Sequence, residues 1–212
     1  MFGTSAFDPT KEPDKASWTL GIQDQVEAMA ALIKAGKIRN YGLSNETSWG
    51  VCEFHRVARE LGVPGPATIQ NSYSLVSRNT DGDLAEALFR QNMSLLAYSP
   101  LAGGMLTGKY LGGARPPNTR YAMFDQLGAR FRLPFVAEAI DAYAALARER
   151  GISLVQLALG YVKSRWFLGS TIIGATSMAQ LRENIDAAQF ELDDETLHRI
   201  AQIQAHFPNP AG

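Results

Sequence analysis

The run Met93-Ser94-Leu95-Leu96-Ala97-Tyr98 decides the fold. It is nearly continuous in apolar residues, as expected for a strand buried on both faces, and such strands belong to parallel sheets covered by helices. Working outward, Gly82 to Gln91 puts Leu84, Ala87 and Leu88 on one helical face, and Ala67 to Gln70 before it reads as a second short strand. Further back, a helix carrying Val51, Phe54, Val57, Ala58 and Leu61 begins at a Thr47 or Ser48 cap and is stopped by Gly62 and Pro64. Ile38 to Leu43 is another strand, ending at Ser44-Asn45. It follows a helix that starts at Ile22, shows Val26, Met29, Ala30 and Ile33 on one face, and closes at Gly36 with Lys34 in its last turn. Strand ends therefore fall at Ser44, Gln70 and Tyr98, 26 and 28 residues apart. A strand–helix cycle of about 30 residues is the signature of repeated βαβ units and a parallel sheet.

After Tyr98 the rhythm breaks. Residues 99–133 form a long segment rich in Gly, Pro and Arg, with Gly103-Gly104, Gly112-Gly113 and Pro116-Pro117, and segments of this length inside a compact domain are usually functional or disordered. Helices are then expected over Phe135–Arg150 and Leu154–Trp166. A fourth strand over Ser170–Gly174, a helix over Met178–Ala187 and a final amphipathic helix over Asp193–Gln204 complete the chain. Four strands are half of a closed β/α barrel, which needs eight and typically about 250 residues. An open doubly wound sheet would usually carry a G-x-G-x-x-G turn after its first strand, and none follows any strand here. A half barrel, a half barrel paired with a copy of itself, and an unusual open sheet all remain in play.

Composition narrows the class. The 212 residues are 46% hydrophobic, 9% aromatic and 19% charged, which excludes a mainly disordered chain. Twenty Lys and Arg against twenty-one Asp and Glu leave a net charge of -1, so no basic face points to nucleic acid. The single cysteine, Cys52, excludes an intramolecular disulfide and suits a reducing compartment; beside Val51 and Phe54 it reads as a small core residue. Neither a secretory signal nor an uncharged run of membrane-spanning length is visible, so a cytoplasmic location and no membrane partner are expected. His55, His198 and His206 lie in helical or tail positions without a partner at metal-ligand spacing, so no metal site is expected.

Parallel β/α folds bind ligands at the carboxyl ends of their strands. Here those ends hold Ser44-Asn45, Gln70-Asn71, Tyr98-Ser99 and Gly174-Ala175-Thr176. Amides and hydroxyls suit hydrogen bonding to a neutral amide of a ligand, and Tyr98 suits stacking on a flat ring. Asn and Ser also terminate strands everywhere, so each position alone reads as a turn former; four together favour a site. Ser99-Pro100-Leu101-Ala102-Gly103-Gly104 offers backbone N–H groups beside two glycines, a run able to cradle phosphate, with Lys109 and Arg120 further along as cationic partners. Gly174-Ala175-Thr176-Ser177 opens a helix whose N-terminus attracts anions, with Gln180, Glu183 and Asn184 in its first two turns. For each of these the plain alternative is a solvated loop or an ordinary capped helix.

Together these residues form a pattern. Gly36-Lys37-Ile38-Arg39 with Gly42-Leu43-Ser44-Asn45, then Gln70-Asn71 with Tyr73, Leu96-Ala97-Tyr98-Ser99-Pro100-Leu101 with Gly108-Lys109-Tyr110, and Gly174-Ala175-Thr176-Ser177 with Gln180-Leu181 and Glu183-Asn184 resemble the aldo-keto reductase superfamily in order and spacing. The resemblance runs from about Phe2 to the end and is strongest to bacterial reductases related to potassium-channel β-subunits. It implies an α/β fold, a partial (β/α)8 TIM barrel of about four C-terminal βα units plus a C-terminal helix. Residues 1–20 would be an N-terminal loop, 21–207 the partial barrel with a cofactor-loop insertion at 99–133, and 208–212 a tail.

The resemblance further implies NADP(H) as cofactor. Ser44, Asn45 and Gln70 would hold the nicotinamide carboxamide, and Tyr98 would stack on its ring. Ser99, Pro100, Leu101, Ala102 and Gly103, with Lys109 and Arg120, would surround the pyrophosphate. Gly174, Thr176, Gln180, Glu183 and Asn184 would take the adenosine 2′-phosphate end. The family protonates a carbonyl with a tyrosine helped by aspartate, lysine and histidine, all on the half of the barrel before the region matched here. No catalytic residue is therefore assigned, and the chain is expected to be a fragment inactive alone, or else a non-catalytic NADP(H)-binding module or auxiliary subunit. A small carbonyl substrate is expected only with the N-terminal half present, and open barrel edges are expected to be available for self-association.

Overall fold

A computed structural model describes residues 21–124 and 128–211; the expected loop over 1–20 and the last residue of the tail lie outside them. Its four strands are β1 (Gly42–Ser44), β2 (Thr68–Ser72), β3 (Ser94–Tyr98) and β4 (Leu168–Ile172), joined in one parallel sheet in the order β1-β2-β3-β4. The helices are α1 (Ile22–Lys34), α2 (Ser48–Leu61), α3 (Asp83–Gln91), α4 (Arg120–Met123), α5 (Pro134–Glu149), α6 (Leu154–Lys163), α7 (Met178–Gln189) and α8 (Asp194–His206). The described residues separate into two compact units, one of residues 21–71 and 80–96, the other of 72–79, 97–124 and 128–211.

In the first unit, β1 pairs with β2 in the register Gly42–Thr68, Leu43–Ile69 and Ser44–Gln70. Thr47 caps α2 by accepting from Gly50 N at 3.2 Å, and Gly62 ends it in the left-handed conformation that a side chain would resist. Val26 of α1 and Phe54, Val57 and Ala58 of α2 form the core, with Ile22, Leu43 and Val63 packed against it. Ser48 Oγ donates to Asp83 Oδ2 at 2.5 Å, tying α2 to the start of α3. Cys52 is exposed, contrary to the expected core placement. The buried stripe of α2 runs through Gly50, Val51, Phe54, Val57 and Ala58, and Cys52 falls outside it.

In the second unit, the core gathers around Tyr73, Tyr143 and Tyr161, each fully buried. Tyr73 Oη and Tyr161 Oη share a hydrogen bond at 3.1 Å, and Tyr143 Oη donates to Leu75 O at 3.2 Å. Burial pushes the Tyr143 hydroxyl well above the usual tyrosine range, so it remains a donor at neutral pH. Val155 and Leu159 of α6 meet Ala187 of α7, and Leu101 packs on them. The closing residues are tied down. Asn209 Oδ1 accepts from Arg78 N at 2.6 Å, Ala211 N donates to Val76 O at 2.8 Å, and Ala211 is buried.

Several expected boundaries move. β1 starts at Gly42 and not Ile38, because only its last three residues find ladder partners on β2. β2 runs on to Ser72, so Gln70 lies inside the strand and not at its end. β4 lies two residues earlier than expected, which leaves Ile173 and Gly174 in the loop after it. α6 stops at Lys163, where Ser164 Oγ donates to Tyr161 O at 2.7 Å. β3 is not buried on both faces: Leu95 and Ala97 are buried while Leu96 and Tyr98 are half-buried, an alternation its apolar composition conceals. Residues 99–133 are ordered in part by 3₁₀ turns at Ala102–Thr107, Leu111–Gly113 and Ala129–Arg132 and by α4.

Candidate functional site: donors at strand ends and a stapled loop

In the first unit the structure brings Ser44, Asn45 and Gln70 together. Ser44 and Gln70 face one another across the β1–β2 ladder. Asn45 follows in the left-handed conformation (φ 52°), with its N–H on Gln70 O at 3.0 Å and its side-chain amide 3.4 Å from Ser44 Oγ. Asn71 supports the same corner: Nδ2 donates to Glu46 O at 3.1 Å, while Oδ1 is buried without a hydrogen-bond partner. Two amides and a hydroxyl so arranged offer both donors and acceptors, the complement of a carboxamide.

In the second unit Tyr98 ends β3, half-buried, and its carbonyl accepts from Tyr73 N at 3.2 Å. The backbone then turns left-handed at Ser99 (φ 55°), Ala102 (φ 49°), Gly103 (φ 66°) and Gly104 (φ 102°). Ala102 N on Ser99 O at 2.9 Å and Gly104 N on Leu101 O at 2.8 Å close the turn. Pro100 and Ala102 are buried, and Leu101 is anchored on α6 and α7, so these three act as supports for the turn. Lys109 lies against Gly104: a Cβ built there would meet Lys109 Nζ at 3.2 Å, so the glycine leaves room for the ammonium. Arg120 opens α4 with its side chain exposed.

The loop after β4 has its own network. Ser177 caps α7 by accepting from Gln180 N at 3.3 Å, and Gln180 Oε1 accepts from Thr176 N at 2.9 Å and Thr176 Oγ1 at 3.1 Å. Asn184 is buried and donates through Nδ2 to Gly174 O at 3.4 Å. Gln180 and Asn184 thus fix the shape of this loop, while Glu183 stays exposed. Gly174 and Thr176, both exposed, present the loop ahead of the helix N-terminus.

One feature of the loop carries no sequence signal of its own. Tyr121 is almost fully buried, and its hydroxyl donates to Ala102 O at 3.4 Å. Burial raises its pKa above the usual tyrosine value, against the opposing pull of Arg120, Arg132 and Arg130. Beyond Tyr121 and Tyr110 a cavity of about 370 Å³ opens, lined also by Met105, Leu111, Arg132 and Ile140. The only hint was an aromatic residue directly after Arg120 in a glycine-rich stretch; nothing in the order of residues revealed which carbonyl it would reach.

The model of the Aldo/keto reductase family matches residues 4–205. The chain belongs to that family. It is 38% identical over 200 residues to Protein tas of Escherichia coli (strain K12), covering 92% of this chain and 58% of that protein. It is 42% identical over 169 residues to an aldo-keto reductase of Babesia bovis, covering 77% of this chain and 59% of that one. Against a probable voltage-gated potassium channel subunit beta of Oryza sativa subsp. japonica the identity is 31% over 172 residues, covering 80% and 52%. The chain therefore spans somewhat over half the length of the curated relatives it matches, and its parallel sheet of four strands agrees with the (β/α)8 barrel of the family. Among the described residues no helix is long and apolar enough to cross a membrane.

Proposed function

We propose that this chain is the dinucleotide-binding part of an NADP(H)-dependent carbonyl reductase: four C-terminal βα units of an eight-stranded barrel, with residues 99–133 as the loop on the cofactor. The observation that carries the reading is the left-handed turn Ser99–Gly104 at the end of a parallel strand, with Lys109 packed against Gly104. Such a turn directs backbone N–H groups to an anion, and a neighbouring ammonium adds charge, which suits a pyrophosphate. The donor set fits the rest of the cofactor as well. Ser44, Asn45 and Gln70 match a carboxamide, Tyr98 offers a ring face, and Thr176, Gln180, Glu183 and Asn184 with Gly174 serve the adenosine end. NADPH, when bound, supplies a hydride to a small carbonyl compound.

The chain's own residues bind and orient in this reading. They do not move the proton. The family resemblance puts the aspartate, tyrosine, lysine and histidine on the half of the barrel before the matched region, and on this reading a developing alkoxide finds no positioned acid here. The 212 residues alone are therefore proposed to bind NADPH without turning over aldehydes, and to reduce a carbonyl only together with a tetrad-bearing half. The second reading is an auxiliary, non-catalytic NADP(H)-binding subunit, and the match to proteins named as potassium channel subunits favours it. Both readings place the protein in the cytoplasm.

Titrating the full chain into NADPH while following nicotinamide fluorescence tests the binding. Saturable binding at micromolar concentration, tighter than for NADH, supports the proposal; no binding at millimolar NADPH overturns it. A panel of aldehydes with NADPH then tests the missing acid. Steady NADPH oxidation of at least about 1 per second, within the ordinary range for enzymes, would show that the chain supplies its own proton donor.

A further inference from the structure

The turn Ser99–Gly104 holds two non-glycine residues, Ser99 and Ala102, in left-handed backbone. Each such residue persists only where its surroundings over-determine it. The backbone bonds that close the turn are short in range: Ala102 N to Ser99 O, Gly104 N to Leu101 O, and Leu106 N to Leu101 O at 3.2 Å. Thr107 Oγ1 adds a bond to Gly104 O at 2.8 Å. Besides the packing of Leu101 on α6 and α7, a hydrogen bond reaches the turn from well along the chain, the Tyr121 hydroxyl on Ala102 O.

That hydroxyl also fills space. A Cβ built on Gly103 would lie 2.1 Å from Tyr121 Oη and 3.2 Å from Cζ, and one built on Gly128 would lie 2.6 Å from Oη. Two glycines with positive φ, 25 residues apart, therefore close on the same oxygen. The ring of Tyr121 stands 5.1 Å from that of Tyr110, which follows Lys109 directly, and the Arg132 guanidinium lies 5.4 Å from the Tyr121 ring centre. One side chain thus touches the turn, the Lys109–Tyr110 stretch and the Gly128–Arg132 turn, and its own backbone carries Arg120.

We infer that Tyr121 is the positioning residue of the anion-binding turn: its hydroxyl holds the Ala102 carbonyl and occupies the space above Gly103, setting the turn before a diphosphate arrives. This rests on the reading of Ser99–Gly104 as the pyrophosphate site. Pre-setting a turn lowers the ordering cost that binding must otherwise meet, so the gain falls on ligands that carry a diphosphate and not on the nucleoside ends. A tyrosine that served only to fill the core would, on losing its oxygen, lower stability and leave ligand preference untouched.

Calorimetric titration of the full chain with NADPH and with 2′-phosphoadenosine 5′-monophosphate, which lacks the diphosphate, separates the two. Tyr121→Phe is expected to weaken NADPH by about tenfold, near the upper worth of one neutral hydrogen bond, and to change binding of the monophosphate by less than about twofold. Equal weakening of both probes overturns the inference. In the unsubstituted chain Gly103→Ala drives a methyl onto the hydroxyl; in the Tyr121→Phe chain the nearest atom recedes to Cζ. The added loss from Gly103→Ala should therefore be several-fold smaller in the second background, and additive losses count against a direct contact. Trypsin cleavage after Lys109 and Arg130 in the ligand-free chain provides a readout independent of any cofactor. Tyr121→Phe should speed it several-fold, since local opening governs nicking, and an unchanged rate refutes the positioning role. If the unsubstituted chain binds no NADPH while cleavage still accelerates, the cofactor reading fails and the positioning of the turn stands.

Discussion

The Ser44–Asn45–Gln70 corner of the first unit and the Ser99–Arg132 stretch of the second solve the same problem by different means. In the corner, donors sit on regular strands, and the ladder Ser44–Gln70 sets their spacing with buried Ile69 beneath it. In the stretch no ladder is available, so turns, glycines and one buried tyrosine fix the backbone. A ladder-borne site inherits the stability of the sheet; a stapled one depends on a few side chains and can lose its shape while the fold survives.

The sharpest way to break this contrast is to attack the sheet. Ile69→Ala should cost about 3 kcal/mol, the usual loss for a fully buried aliphatic side chain, measurable by urea unfolding. A loss below about 1 kcal/mol would show that the strand core does not support the corner. Next in size, Lys109→Met should weaken NADPH about tenfold, as expected for one charge-assisted contact, and flatten the salt dependence of binding while leaving the melting temperature unchanged. A parallel fall in melting temperature would make Lys109 a structural residue. Asn209→Ala removes the acceptor for Arg78 N and should cost about 1 kcal/mol, seen as a lower melting temperature; no change would mean that the closing residues are not held by it.

The smallest expected effect concerns acid. Asp193 caps α8, its carboxylate accepting from Thr196 N at 2.8 Å and from Arg150 at 2.7 Å, and these contacts hold its pKa below the ordinary value of 3.8. A depressed folded pKa contributes stability above the unfolded pKa that is lost as pH falls through the folded one. The parent chain should therefore melt slightly above Asp193→Asn at pH 6, with the gap closing below pH 3.8. A gap that stays constant with pH would remove the charge from the account.

The strand–helix cycle was legible because periodicity and caps are local. Thr47, Gly62 and the apolar stripe of α2 mark that helix in the sequence and in the structure alike. Ladder partners are not local, which is why β1 proved shorter than its apolar run and β4 lay two residues early. Burial of β3 was misjudged for the same reason: Leu96 is as apolar as Leu95, and only packing distinguishes them. Of the residues singled out in the sequence, the structure brings together Ser44, Asn45 and Gln70, and separately Thr176 and Gln180, although Gln70 lies within β2 and Gln180 within α7. The role of Tyr121 was invisible, since it depends on an oxygen meeting a carbonyl 19 residues away.

The exposed Cys52 on the outer face of α2 has an experimental consequence. It is the one thiol in 212 residues. A maleimide dye or spin label therefore attaches at a single, uniform address without any cysteine having to be engineered away. A chromophore there would report on α2 directly, so that dye signals recorded while NADPH is added compare a labelled helix with the intrinsic fluorescence of the tryptophans in one and the same sample.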